Sequence, residues 1–402
     1  MRRAILLLLV ISMAGSAAPA HARSYWKKRL DRVVRGHRVG VAVRDHGRML
    51  YQHESRVRRT PASNEKLLLT MALFQTLNPS RGLDTYVYGN AFRIGGIVEG
   101  NIYLTGRGDP TITPGGDYAR RFRFDATRLG VLARAVKASG ITEIRGRVIG
   151  NTGYFKRDWY APGWRYYFPS QQIPLPSALT FNGNTHRGRH IRNPEYRAAK
   201  AFTRKLEAIG VNVTRKPGAG SMPAGKAQIA GISSAPLWVL ARYMNKWSSN
   251  FFAEMLGKRL GAERYGGSGT IAKGARAIEA YAARRGVSVT AHDASGLSYA
   301  NRISTRGMVN LLGKVEASAP WYRTLRAGLP KGGEGTLENR LHGVPIRAKT
   351  GSLSGVSALS GWIYLRKTRS WAEFSIMSRG LSYYGAKGLE DRIVRLVRRH
   401  AR

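Results

Sequence analysis

The sequence predicts a mixed α/β protein of the α+β kind, with an antiparallel sheet flanked by helices and interrupted by an inserted β-rich domain. Three observations carry this. Val39 to Val43 alternates apolar and small residues, turns at Asp45-His46-Gly47 and resumes at Met49-Leu50-Tyr51, the pattern of a β-hairpin. Behind Pro61-Ala62-Ser63, the run Leu67, Leu68, Leu69, Met71, Ala72, Leu73 and Phe74 covers every face of a helix, which is therefore expected at the centre of the protein. From about residue 86 to 232 the texture changes to short β-like runs broken by Gly and Pro, as from Glu99 to Pro110.

Taken in order, residues 1–22 open with Met1-Arg2-Arg3, continue through an apolar run from Ala4 to Met13, and end in small residues at Ala20-His21-Ala22. This is the tripartite pattern of a cleavable secretory signal. The run is shorter than the ~20 apolar residues that span a bilayer, and no later run reaches that length, so an exported, soluble protein is expected. Residues 23–85 then supply the first part of the sheet-and-helix domain, 86–232 the insertion, and 233–402 the second part. In that second part helical patterning returns from Leu237 to Leu260. The strand-like runs Ala358 to Leu365 and Trp371 to Met377 flank a polar turn, and Leu389, Ile393, Leu396 and Val397 follow helical spacing.

The chain holds no cysteine, which removes disulfides, thiolate metal sites and a cysteine nucleophile from consideration. Its 67 Lys plus Arg against 23 Asp plus Glu give a formal net charge of +44, a field that favours polyanions. Export argues against nucleic acid as the natural partner. An anionic wall polymer or membrane surface is one reading of the charge, and an arginine-rich solvated surface is the other.

A serine hydroxyl needs a base to take its proton, and a lysine three residues on along a helix shares its face. Ser63-Asn64-Glu65-Lys66 has this spacing, as does Ser24-Tyr25-Trp26-Lys27. Ser63 opens the buried helix, where free backbone N–H groups can stabilise an oxyanion, whereas Ser24 has no apolar helix behind it. The alternative use of Ser63 is a plain helix N-cap. Two further motifs follow in order. Ser248-Ser249-Asn250, among helical residues, supplies a hydroxyl to relay protons and an amide to hold a peptide carbonyl, or simply a polar helix start. Lys349-Thr350-Gly351, before an expected strand, supplies a cation and a hydroxyl beside room for a substrate backbone, or simply a basic turn.

With these three motifs, the segments Thr60 to Lys66, Leu104 to Pro110, Asp293 to Leu297 with Asn301-Arg302, and Gly335-Thr336-Leu337 running on to Lys349 through Gly355 resemble the class C low-molecular-mass penicillin-binding proteins. The resemblance spans nearly the whole chain beyond residue 22. It implies a penicillin-binding/β-lactamase-like transpeptidase domain and a D-alanyl-D-alanine carboxypeptidase/endopeptidase of the periplasm or extracellular envelope. Peptidoglycan stem peptides would be its substrates and β-lactams its covalent inhibitors, with no cofactor and no metal. It further implies Ser63 as nucleophile, Lys66 as base with its pKa lowered by Lys349, and Ser248, Asn250 and Lys349 as catalytic partners. Thr350, Gly351 and Ser352 would contact substrate, and the N–H groups of Ser63 and Ser352 would form the oxyanion hole. The family carries inserted domains between its first two motifs. The interval from Ser63 to Ser248 is short for two, so the further one is expected to be reduced or missing.

Two other readings share these motifs: a serine β-lactamase, and a non-catalytic wall-binding or polyanion-binding protein. Asp158, an acidic group in a basic protein, is a candidate to bind a cationic side-chain end of the stem peptide. Trp159, Trp164, Tyr166 and Tyr167 form either an aromatic wall or part of the core. His186 and His190 have metal-like spacing, but the glycine between them and the lack of a nearby carboxylate point to a surface loop.

Overall fold

The N-terminal hairpin and the C-terminal strands make one sheet. In the computed structural model, which describes residues 25–90 and 95–401, the strands Val39–Asp45 and Arg48–His53 pair with each other, and Val39 lies opposite Ser378 of the strand Trp371–Arg379. The strands Ile346–Leu353 and Val356–Tyr364 complete an antiparallel sheet of five strands, ordered 346–353, 356–364, 371–379, 39–45, 48–53. The export signal expected at 1–22 lies outside the described residues.

Both faces of this sheet are covered, which explains why its strands read as apolar runs and not as strict alternations. One face packs on the helices Tyr25–Val34 and Tyr383–His400, through Trp26, Leu30, Ile376, Leu389, Ile393 and Val397. The other meets a helical layer built from Glu65–Thr76, Leu237–Trp247, Asn250–Tyr265, Ile271–Ala283 and Thr305–Ser318. Within Glu65–Thr76 every residue from Glu65 to Phe74 is buried, as the apolar density of this segment demands.

A second sheet lies between the two halves of the first domain in sequence. Its order is Gly218–Gly220, Val148–Asn151, Ile102–Gly106, Asp84–Gly89, Ala227–Ser233, with the first three strands parallel and the last two antiparallel. The helices Leu129–Ala138 and Pro194–Glu207 bury Leu132, Val136, Phe202 and Leu206 against it. This layer is therefore helix on sheet. The short helix Leu129–Ala138, hidden between Gly- and Pro-rich stretches, is what the β-rich reading of this segment left out.

The helical patterning read from Leu237 to Leu260 divides into two helices, with the break at Ser248-Ser249. Ser248 takes a left-handed conformation (φ 56°) and Ser249 caps the second helix by accepting the Phe252 N–H at 3.3 Å. Lys349-Thr350-Gly351, expected just before a strand, lies within Ile346–Leu353.

The helices Asn250–Tyr265 and Ile271–Ala283 approach to backbone contact. A Cβ on Gly274 would lie 2.6 Å from the Gly257 carbonyl oxygen, and one on Gly261 would lie 2.7 Å from the Gly274 nitrogen. Gly274→Ala should therefore cost about 1–3 kcal/mol of stability by overpacking, read as a lower midpoint in denaturant unfolding with an unchanged slope.

Candidate active site

Ser63 sits in a 3₁₀ turn, Ala62–Asn64, that leads directly into the buried helix. The turn is fixed from three directions. Asn64 Nδ2 donates to Ser360 Oγ at 2.8 Å on the neighbouring sheet, and Ser360 bonds Ser375 at 2.8 Å. Gly351 of the edge strand lies so close that a Cβ there would be 2.8 Å from the Pro61 carbonyl oxygen and 3.1 Å from the Ser63 nitrogen. Gly296, at φ 80°, presses on the other side, and a Cβ there would overlap the Ala62 carbonyl oxygen. Ala62 itself is left-handed (φ 46°), a strained state for a residue with a Cβ that this packing enforces.

Lys66 is fully buried and points back to Ser63, its Nζ 3.0 Å from Ser63 Oγ. The same ammonium donates to Asn250 Oδ1 at 2.9 Å and to the Ser295 carbonyl. Burial lowers its pKa to about 8, against the opposing pull of Asp293, Glu254 and Glu65. The expected effect of Lys349 on Lys66 runs the other way: burial, then Lys66 and Lys387, push the Lys349 pKa well below its ordinary value. Lys349 Nζ lies 2.8 Å from Ser248 Oγ, and Thr350 Oγ1 lies 2.7 Å from Thr336 Oγ1.

The residues Ser63, Lys66, Ser248, Asn250, Lys349, Thr350 and Gly351 thus come together at the junction of the edge strand and the helical layer. Ser352 follows on the same strand, exposed. The arrangement offers a hydroxyl nucleophile next to a lysine poised near neutrality. A second hydroxyl–lysine pair stands beside it, and the edge strand lies open to an extended peptide.

Asp158 lies elsewhere. Its carboxylate accepts from Lys258 Nζ at 2.6 Å and from the backbone N–H of Ile271 at 2.7 Å. It is thereby spent on a buried lysine and on the start of a helix. Trp164 is buried, with its indole N–H donating to Asp293 Oδ2 at 2.7 Å, and Trp159 bonds the Ile173 carbonyl, whereas Tyr166 is 88% exposed. His190 belongs to a short hairpin and bonds the Pro169 carbonyl.

Besides Ser63 and Asn250, residues outside the three motifs hold the surroundings of Lys66 in place. Asp293 gathers the N–H groups of Gly296 and Ser298 (3.0 and 2.8 Å) with the Asn301 amide (2.7 Å), which shapes the loop that presents the Ser295 carbonyl. Glu254 accepts the N–H groups of Ala294 and Ser295 at 3.0 and 2.7 Å. Its signal was present, since it is the one ionisable residue in the otherwise apolar stretch Phe251 to Leu256.

A model of the D-Ala-D-Ala carboxypeptidase 3 (S13) family matches residues 27–187 and 168–400. The chain is 28% identical to the D-alanyl-D-alanine carboxypeptidase of an Actinomadura species, over 91% of this chain and 82% of that protein. It is 30% identical to carboxypeptidase DacB of Mycolicibacterium smegmatis, over 81% of this chain and 72% of that protein. Among solved structures, penicillin binding protein 4 (dacB) from Haemophilus influenzae shares the fold with a TM-score of 0.78 at 18% identity, covering 93% of this chain and 99% of that one.

Burial pushes the Glu254 pKa up to about 8, with Asp293 adding to the rise. A carboxyl whose folded pKa is raised contributes stability that is fully present below the unfolded value and is lost as pH climbs through the folded one. The window runs from about 4.5 to about 8. Glu254→Gln keeps the acceptor oxygen and removes the titration, so the fall in melting temperature between pH 6 and pH 9 should be smaller in the variant than in the parent protein.

Proposed function

The chain belongs to the D-Ala-D-Ala carboxypeptidase 3 (S13) family, and on that premise we propose that Ser63 is the nucleophile through which this class C low-molecular-mass penicillin-binding protein works as a serine-type D-Ala-D-Ala carboxypeptidase/endopeptidase. The observation that carries the assignment is the 3.0 Å contact of Ser63 Oγ with a buried lysine whose pKa lies near 8.

Neutral Lys66 accepts the Ser63 proton as Oγ attacks the carbonyl between two terminal D-alanines. The developing oxyanion is met by the backbone N–H groups of Ser63 and Ser352, at the turn and on the edge strand. Lys349 and Thr350 bind the terminal carboxylate, and Gly351 leaves space for the peptide along the strand. Ser248, held by Lys349 at 2.8 Å, relays a proton to the leaving amine. Asn250 divides its amide between Lys66 and the acyl half of the substrate. Water then hydrolyses the ester. A β-lactam enters the same path and stays as a covalent adduct on Ser63.

The two-piece match of the family model, meeting at residues 168–187, supports the expectation that a further inserted domain of the family is reduced or missing here. Action on peptidoglycan implies a place in the cell envelope, and the export signal read at 1–22 agrees with periplasmic or extracellular delivery. The +44 charge supports an anionic wall polymer or membrane surface as the surroundings in which the protein is held.

Intact mass after exposure to benzylpenicillin should show one adduct, mapped to Ser63 and absent from Ser63→Ala. Rapid turnover of the antibiotic without an adduct would instead mark a β-lactamase, and neither adduct nor turnover a binding protein. Because the base must be unprotonated, the second-order acylation rate should fall about tenfold per pH unit below roughly pH 8 and level off above it, in stopped-flow measurements.

A further inference from the structure

A groove of about 510 Å³ opens beside the site, lined among others by Arg123, Trp238, Arg242, Tyr243, Lys246 and Trp247. Two covalent connections fix where it lies. Lys246 and Trp247 immediately precede Ser248, and Gly335, also in its wall, precedes Thr336, whose hydroxyl bonds that of Thr350 at 2.7 Å. Lys246 packs so tightly on Gly335 that a Cβ there would overlap the Lys246 carbonyl oxygen. The groove therefore begins where the carboxylate-binding and proton-relay residues end.

On the reading of the site given above, on which this inference rests, the amine leaves past Ser248. What is attached to that amine beyond the D-alanine position extends from the side of the site where Trp247 and Gly335, in the groove wall, adjoin Ser248 and Thr336. A free D-alanine stops at Lys349 and Thr350 and leaves the groove unused. In a cross-link the leaving amine belongs to a second stem peptide, which extends further and carries carboxylates of its own.

The lining suits such an occupant. Among the described residues Arg121, Arg123 and Arg242 are in no ion pair, while Glu334, the acid of the groove, is engaged by Lys246 at 3.4 Å and Lys331 at 3.1 Å. The net field is cationic and unneutralised. Trp247 and Trp238 are 54% and 37% exposed, flat apolar walls at the mouth of a polar site. Tyr243, also in the lining, packs on Phe252 with ring centroids 4.7 Å apart. An anionic peptide with apolar stretches meets both features.

We propose that this groove binds the leaving half of a cross-linked stem peptide and makes the protein an endopeptidase selective for an acidic leaving strand. The reaction is the same acyl transfer. The amide C–N bond breaks as the Ser63 ester forms, the proton displaced from Ser63 ends on the leaving amine, and water later releases the acyl half as a carboxylic acid.

The test compares two substrates sharing one acyl half: a peptide ending in D-Ala-D-Ala, and a dimer in which D-Ala is amide-linked to a second peptide bearing free carboxylates. In the doubly reversed variant Arg123→Glu/Arg242→Glu, kcat/KM on the dimer should fall about tenfold or more, while D-Ala release and penicillin acylation, which report correct folding, change less than about twofold. Arg123→Lys/Arg242→Lys should retain most dimer activity. Equal losses on both substrates, no loss on the dimer, or a wild-type protein that releases D-Ala but leaves the dimer intact would overturn the groove assignment alone. A wild-type protein inert toward both substrates and toward penicillin would overturn the underlying reading of the site.

Discussion

The structure depends on where it places one ammonium group. Lys66 is buried from water entirely, and an ionised group in that position costs several kcal/mol unless polar partners surround it. Its partners come from three separate parts of the chain: Ser63 one helical turn back, Asn250 at the head of another helix, and the Ser295 carbonyl on a loop. Those three segments have to meet at one point. The meeting explains the left-handed Ser248 that aims the second helix, the five-stranded sheet that anchors Asn64, and the glycines at 296 and 351 where backbones touch the nucleophile's turn.

Electrostatics around that point are balanced between opposing effects. Burial disfavours the charged lysine, while Asp293, Glu254 and Glu65 favour it. Burial also acts on two of these carboxyls, holding Glu254 at about 8 and Glu65 well above its ordinary value, which weakens their pull on Lys66 as pH falls. The low dielectric that makes the site expensive is thus also what tunes it. Lys349, its pKa depressed by burial and by its neighbours Lys66 and Lys387, donates to Ser248 Oγ at 2.8 Å.

Much of this was legible in the sequence where local pattern decides structure. The hairpin at Val39 to Tyr51, the helix buried on all faces after Ser63, and the C-terminal strands and helix follow from periodicity alone. The order of the three motifs, with their flanking segments, pointed to the family. Less legible were features that exist only after the chain closes. Asp293 opens one of the segments that carry the resemblance, but its work as a hub for loop N–H groups appears only when Trp164 arrives from the inserted segment to complete it. Asp158 read as a free acid because its partner, Lys258, stands 100 residues away.

The Asp158–Lys258 pair also bears on how an enzyme can interrupt its own catalytic domain without loosening the site. Lys258 is buried on the same helix that starts at Asn250, and its ammonium donates to the Lys156 and Pro176 carbonyls as well as to Asp158. Those acceptors lie on the segment that leaves the inserted sheet at Val148–Asn151 and returns to the inserted layer at the helix Pro194–Glu207. About two turns closer to the helix start, Asn250 Nδ2 donates to the Gln172 carbonyl of that segment at 3.4 Å. The returning chain is therefore clamped along the helix that positions a catalytic amide, and a buried charge enforces the clamp, because Lys258 left without these acceptors would be an unpaired cation in the core. The insertion is tied in where displacement of the site would be most damaging, which accounts for an acidic residue conserving its charge for structure in a chain with so few acids to spare.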